Sequence, residues 1–475
     1  MFRCCRLLIC LICVLYEVGT HTAFAQDTNT ATSSTLILGG VTVRGNKKTL
    51  EKVIIREMDV IQGDTLAAGK LEETLKRNTE RVRSTGLFVE VHLTETMRRA
   101  DTTFWMLELR EAQYNYIYPY LDFGDRDVNL WWHYGHSLAR LNYQLKFTNL
   151  NLSGNYDRLS IQTQYGYAPL VAAAYQTPYL DAHQKWRASL NASYQQRHEI
   201  QYSTLGNKQI FTADPDRFLF RKFIASANIT YRPKAYFSQG GGITYTRAEI
   251  ADTVSKLNPD FFLGQTLQSS IDVGYWATYD FRDFRPYPMH GWRASGSIDY
   301  EGFGNAGAPE RISIELYYSK YFSFTDHLSL EAIAKLHYVP YSVRQPYFNL
   351  HNLGYTDDVL RGYEYYAMDG QDFAYIKTSL RYRIARSNVY LGKWMPIVKF
   401  RYIPFKVYLT INNDIGYSRN YNSTENLRNP FTNTLLWGGG GGLDLNFFAD
   451  FVLHYEYSFN QRGEHGLFIR WSIPF

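Results

Sequence analysis

The chain has 475 residues, 50 basic and 45 acidic side chains, and a net charge of +5. That balance is too small to argue for nucleic acid, and after the leader no apolar run approaches the ~18 residues of a membrane helix. Forty Tyr, 29 Phe and nine Trp exceed ordinary usage. The mean hydropathy of −0.34 still allows membrane strands, which place only every second residue on lipid.

The first 25 residues read as an export leader. Arg3 and Arg6 form its basic region, Leu7 to Leu15 its apolar region, and Ala23-Phe24-Ala25 a cleavage site before Gln26. Cleavage would leave a mature chain of net +4. All four cysteines (Cys4, Cys5, Cys10, Cys13) lie in the leader, and neither Cys10 nor Cys13 follows a small-residue lipobox. An exported chain without cysteine has no disulfide framework, thiol chemistry or Cys-based metal site.

After a short linker over 26–35, residues 36–112 form a small mixed unit. Leu36 to Arg44 alternates as a strand and stops at the turn pair Gly45-Asn46. Leu50 to Met58 has helical spacing, broken by Gly63-Asp64. Leu66 to Thr85 reads as a longer helix with Leu71, Leu75 and Val82 on one face, ended by Gly86. Two strands follow, Phe88 to Thr94 and Thr103 to Arg110.

From Gln113 to the end at Phe475 the period becomes two. Trp186, Ala188, Leu190, Ala192 and Tyr194 alternate with Arg187, Ser189, Asn191, Ser193 and Gln195. The pattern recurs around Ile161 and around Ile298. A polar face that stays charged strand after strand, with an apolar face rich in Tyr and Trp, favours a membrane barrel over a solvated sheet. About 16 such segments are present, an even number as single-chain bacterial barrels require. Connectors alternate between short ones near 151–156, 232–235, 323–326 and 447–450, and long polar ones near 196–217, 250–265 and 338–371. The stretch 385–406 is too long for a turn and has no account at this level. The fold class is thus mainly β, a transmembrane antiparallel barrel over 113–475 preceded by one small α+β domain.

The residues Val43-Arg44-Gly45-Asn46, Ile55-Arg56-Glu57, Gly63-Asp64 and Thr85-Gly86-Leu87-Phe88 resemble a POTRA domain. The resemblance implies a periplasmic module whose sheet edge and helix groove take an incoming strand; a plain spacer is the other reading. The segment Val359-Leu360-Arg361-Gly362-Tyr363 lies in the longest connector, between the predicted eleventh and twelfth barrel strands. With the strand pattern, it resembles the BamA/TamA superfamily of outer-membrane assembly and secretion barrels, the bacterial surface antigen type.

That resemblance implies a connector folded into the lumen, carrying Leu360, Arg361, Gly362 and Tyr363. It also implies an acidic partner, for which Asn412-Asn413-Asp414-Ile415-Gly416 offers Asp414, with Gly416 matching and Asn412 replacing an aromatic. The second acidic position of the family falls where this chain has Arg381, which leaves Glu456 or Glu331 to balance the lumen charge. Tyr279-Asp280-Phe281-Arg282-Asp283 with Pro288 and Gly291-Trp292 matches a further family segment. Gly438 to Gly442, on the predicted fourteenth strand, gives room for the loop or a flexible wall, unless it is a loop tip. The last strand is expected to be an insertion signal, with Leu467, Ile469, Trp471, Ile473 and Phe475 on lipid and Phe468, Arg470 and Ser472 in the lumen.

No nucleophile elbow, zinc helix, phosphate loop or dinucleotide fingerprint is present. His133 and His136 are the closest of twelve histidines, and on a strand they would face opposite ways. No catalytic residue, metal or cofactor is expected. Three functions remain: an assembly or insertion factor in the outer membrane, a two-partner-type secretion pore, and a passive porin or surface protein. The first takes unfolded outer-membrane or secreted clients through the POTRA-like domain, with outer-membrane lipid, periplasmic chaperones and accessory lipoproteins as further partners. It uses the client's own folding energy and a weak seam between the first and last strands.

Overall fold

The computed structural model describes residues 35–181, 183, 185–306, 309–340, 344–390, 392, 402–421, 429–447 and 451–472. The leader, the cleavage point before Gln26 and the linker up to residue 34 lie outside the described residues, as do Ile473 and Phe475.

Four strands, β1 (Thr35–Arg44), β2 (Thr65–Ala67), β3 (Phe88–Arg99) and β4 (Thr102–Glu111), form a sheet in the order β2-β1-β4-β3. Helices α1 (Glu51–Arg56) and α2 (Leu71–Arg83) bring Val53, Ile54 and Val82 to a core with Leu38, Val91, Trp105 and Leu107, all fully buried. Each such side chain contributes about 1.5–3 kcal/mol by leaving water. The helix predicted from Leu66 starts later, at Leu71. Leu66 instead pairs with Leu36 in β2. Gly69, a poor helix former, separates this strand from the helix.

The domain is seated on the barrel. Leu150 and Tyr156, from the first turn on this side, pack against the domain core. Asn151 Nδ2 donates to Thr49 Oγ1 (2.9 Å) and the Leu50 amide to the Gly154 carbonyl (3.1 Å). Glu57 accepts from Arg232 at 3.1 Å.

The wall begins with β5 (Asn115–Phe123), β6 (Leu141–Asn149), β7 (Arg158–Gly166), β8 (Leu170–Gln176) and β9 (Trp186–Arg197). A hairpin of β10 (Glu199–Leu205) and β11 (Lys208–Ala213) then leaves it. The wall resumes with β12 (Phe220–Lys234), β13 (Phe237–Ile250), β14 (Leu267–Asp280), β15 (Gly291–Ala306) and β16 (Arg311–Ser323). It ends with β17 (Leu328–Tyr338), β18 (Asp372–Tyr390), β19 (Tyr402–Arg419), β20 (Leu435–Phe447), β21 (Phe451–Asn460) and β22 (His465–Ser472). These form one 16-stranded antiparallel sheet in chain order from β5 to β22.

Period two sorts the faces. Tyr165 is 71% and Leu467 64% exposed on the outside, whereas Phe468, Ser458, Glu456 and Asp414 are buried inside. Apolar side chains this exposed need lipid around them. No helix among the described residues is long and apolar enough to cross a membrane.

Three sequence expectations change. The connector 196–217 is no loose polar loop: it holds β10 and β11, and Asn207 at the hairpin tip is fully buried. The stretch 385–406, which the sequence left without an account, is strand over 385–390 and 402–406. There β18 and β19 continue past the wall on the domain side, pairing Arg386 with Lys406 and Val389 with Ile403. His133 ends helix α3 (Val128–His133) and His136 lies in the following turn, so neither is on a strand. His133 stacks on Tyr365 instead.

Candidate functional site: the lumen loop and the seam

The connector between β17 and β18 folds inward. Gly362 adopts φ +81°, a left-handed conformation that glycine takes without strain, and the flanking side chains part there. Arg361 reaches β19 and Tyr363 donates its hydroxyl to the Trp437 carbonyl on β20 (3.1 Å). Leu360 and Tyr363 are both fully buried.

Arg361 Nη1 lies 2.6 Å from Asp414 Oδ1, and its backbone amide donates to Oδ2 at 3.0 Å. Nη2 donates to Ser379 Oγ at 3.1 Å. Glu456 Oε1 sits 2.6 Å from Nε as an ion pair, off the N–H direction. Such charge-assisted contacts hold a guanidinium in one register. A cation here, taken out of bulk water, needs this many acceptors. Asn412 donates to Glu456 Oε1 at 2.7 Å.

Two glycines make space for the loop. A Cβ on Gly438 would lie 1.8 Å from the Arg361 carbonyl oxygen, and one on Gly416 would lie 2.5 Å from Leu360 Cδ1. The glycine run 438–442 is therefore strand, with the inserted loop against its start.

Both acidic candidates carry an arginine. Glu456 pairs with Arg470 on β22 as well as Arg361, and Glu331 pairs with Arg381. Arg381 also donates to the Pro288 carbonyl (3.2 Å) and lies over the Tyr287 ring. Tyr287 in turn donates to Asp444 Oδ2 at 2.8 Å, and Asp444 contacts His454 at 2.7 Å. The β14–β15 turn, which follows Asp280 and carries Arg282 and Pro288, thus reaches up into the lumen from the domain side. Between turn and loop lies a cavity of about 250 Å³, lined by Glu331, Arg361, Arg381, Glu456 and Arg470, that extends to Trp471. Among the described residues, no cluster of three His, Cys, Asp or Glu side chains is placed to hold a metal.

Two family models match this architecture. One, described as Omp85 superfamily domain, matches residues 151–386; the other, the POTRA model described as surface antigen variable number repeat, matches residues 37–104. The chain belongs to the Omp85 superfamily. No curated protein matches the sequence. Among solved structures, BamA from Haemophilus ducreyi lacking POTRA domains 1–3 has a TM-score of 0.54 at 14% identity, over 92% of this chain and 84% of that one. CdiB from Escherichia coli has 0.55 at 12%, over 92% and 76%. At these identities the likeness is one of fold.

In this Omp85 barrel, the last strand stands as its period requires. Leu467 and Trp471 are exposed on the outer face, Phe468 is buried inward, and Arg470 binds Glu456. Ile469 lies between Leu467 and Trp471 on the same face, half-buried. Ile473 and Phe475 fall outside the described residues.

The sequence reading missed the connector after β5. Arg126 donates to the Gly354 and Glu364 carbonyls of the lumen loop. Asn129 meets β22: Nδ2 donates to the Ile469 carbonyl (3.0 Å) and the Ile469 amide donates to Oδ1 (2.9 Å). Nothing in local periodicity marks either residue, because both act across more than 200 positions of chain. The hairpin tip was missed for the same reason. Asn207 takes the Ala367 amide on its carbonyl and the Phe431 amide on Oδ1, both at 2.8 Å.

Proposed function

We propose that this chain is an assembly or insertion factor of the outer membrane. Its POTRA domain stands on the periplasmic side and receives unfolded client chains, which leave into lipid through the seam between β5 and β22. Omp85 proteins handle polypeptide clients, and membership in that family supports the general role. The observation that carries the finer reading is the contrast between wall and lumen. Every neighbouring pair of wall strands from β5 to β22 is laddered, yet among the described residues no ladder joins β22 back to β5. The lumen is entered from one end by Arg361 and its loop and from the other by Tyr287.

Segments inserted from both ends count against a passive porin. They also make the secretion pore the second reading, since export would have to displace both inserted segments. Energy for insertion comes from the client: an apolar strand face entering lipid gains about 25 cal/mol per Å², so no nucleotide is required.

Depletion in the native cell followed by outer-membrane proteomics tests this. Broad loss of barrel proteins is the expected result. Loss of a single exported protein would favour secretion, and an unchanged membrane would sink both readings.

A further inference from the structure

Strand β5 ends at Phe123, whose ring lies 5.9 Å from that of Trp471. Strand β22 runs from His465 on the outer side down past Trp471, so Ile469 lies beyond the point where β5 stops. At that height the outward main-chain pair of Ile469 meets a side chain. The Asn129 carboxamide gives an N–H to its carbonyl and takes its amide, at 3.0 and 2.9 Å. A carboxamide carries the same donor and acceptor as a peptide unit, so Asn129 makes the two bonds that a residue of a neighbouring strand would make.

The segment carrying Asn129 is itself held. Asp127 Oδ1 accepts from the amides of Asn129 and Leu130 at the start of α3. Arg126 bonds the lumen-loop carbonyls of Gly354 and Glu364, and His133 stacks on Tyr365, whose ring meets Phe468 of β22. Asp125 pairs with Arg140 at 2.6 Å, tying the segment to the start of β6.

We propose that Asn129 is a latch on the seam, occupying the Ile469 main-chain pair in place of a strand, with Arg126 coupling it to the lumen loop. An extended client segment takes that pair only when Asn129 lets go. Release also breaks the Arg126 contacts, so opening of the seam and loosening of the lumen loop are one event. The role given to the client rests on the function proposed above; the latch itself does not.

The test uses the full-length protein in lipid vesicles without client. Phe123→Cys and Trp471→Cys, in a mature chain otherwise free of cysteine, report the closed seam through a short bismaleimide. Asn129→Ala, and the near-isosteric Asn129→Asp, which cannot donate to the Ile469 carbonyl, should lower cross-linking at least about threefold. Arg126→Ala should lower it similarly and speed maleimide labelling of Leu360→Cys. Heat-modifiable migration on a gel establishes that each barrel has folded. Wild-type cross-linking in folded Asn129 variants would overturn the latch.

If those variants do not fold, hydrogen exchange of the wild-type peptide 467–471 decides. Protection at the Ile469 amide supports the latch, and exchange as fast as at an unbonded edge overturns it. Dilution of a urea-unfolded eight-stranded barrel protein onto the vesicles separates the two ideas. A loosened seam with unchanged insertion of that probe upholds the latch and overturns the insertion reading.

Discussion

Arg361 is held by Asp414, Ser379 and Glu456, and this sets the cost of losing it. Breaking a buried ion pair typically costs ~3–5 kcal/mol, less where lumen water screens the charge left behind. Arg361→Ala is therefore expected to leave a folded but more heat-labile barrel with a mobile loop. Maleimide labelling of Leu360→Cys, silent in the parent, should then become fast; equal labelling in both would contradict the contact. The glycines give an ordered pair of predictions. At Gly438 an added methyl meets backbone, the Arg361 carbonyl, whereas at Gly416 it meets only the flexible end of Leu360. Gly438→Ala should therefore expose the loop and lower the melting temperature more than Gly416→Ala, a ranking that thermal unfolding of the two variants checks. At this scale Arg361, Asp414 and the two acidic candidates were legible, because a motif and a lumen-facing register name them. The binding of Glu456 by two arginines was not, since Arg470 meets it only through the pairing of β21 with β22.

Element by element, the docking of the small domain is the feature with the sharpest pH signature. Burial pushes the Glu57 carboxyl up, but Arg232, with Arg56 and Arg187 nearby, more than offsets this and holds it below its ordinary value of 4.5. A depressed carboxylate stabilises the docked state fully above its undocked value and loses that contribution as pH falls through the docked one. The domain should stay seated through mild acid and loosen only below the ordinary carboxylate range. Hydrogen exchange of residues 48–58 against pH reads this directly. Arg232→Ala should move the loosening to higher pH; an unchanged midpoint would mean the pair does not hold the dock. The α+β order of this domain and the strands of the wall were readable from period and turn residues. Two things were not. Leu66 entered a strand because β1 offers it a pairing edge, and residues 385–390 and 402–406 lengthened β18 and β19 because each supplies the other's hydrogen bonds beyond the wall.

For the whole molecule, the route proposed for a client runs through the wall. Among the described residues, sixteen strands in chain order, segments entering the lumen from both ends, and a seam bridged by Asn129 with no ladder are what the proposed route rests on. Barrel class and strand number followed from the two-residue period and the aromatic faces. The insertions into the lumen and the bridging of the seam did not, because they depend on contacts between connectors far apart in sequence. The most direct measurement is the folding of a urea-unfolded eight-stranded outer-membrane barrel into vesicles that contain this protein, with Phe123→Cys and Trp471→Cys either reduced or joined by disulfide. Faster folding of the client is expected with the seam reduced, and loss of that acceleration when it is sealed. Acceleration that persists with a sealed seam, or none in either state, would contradict the proposed route.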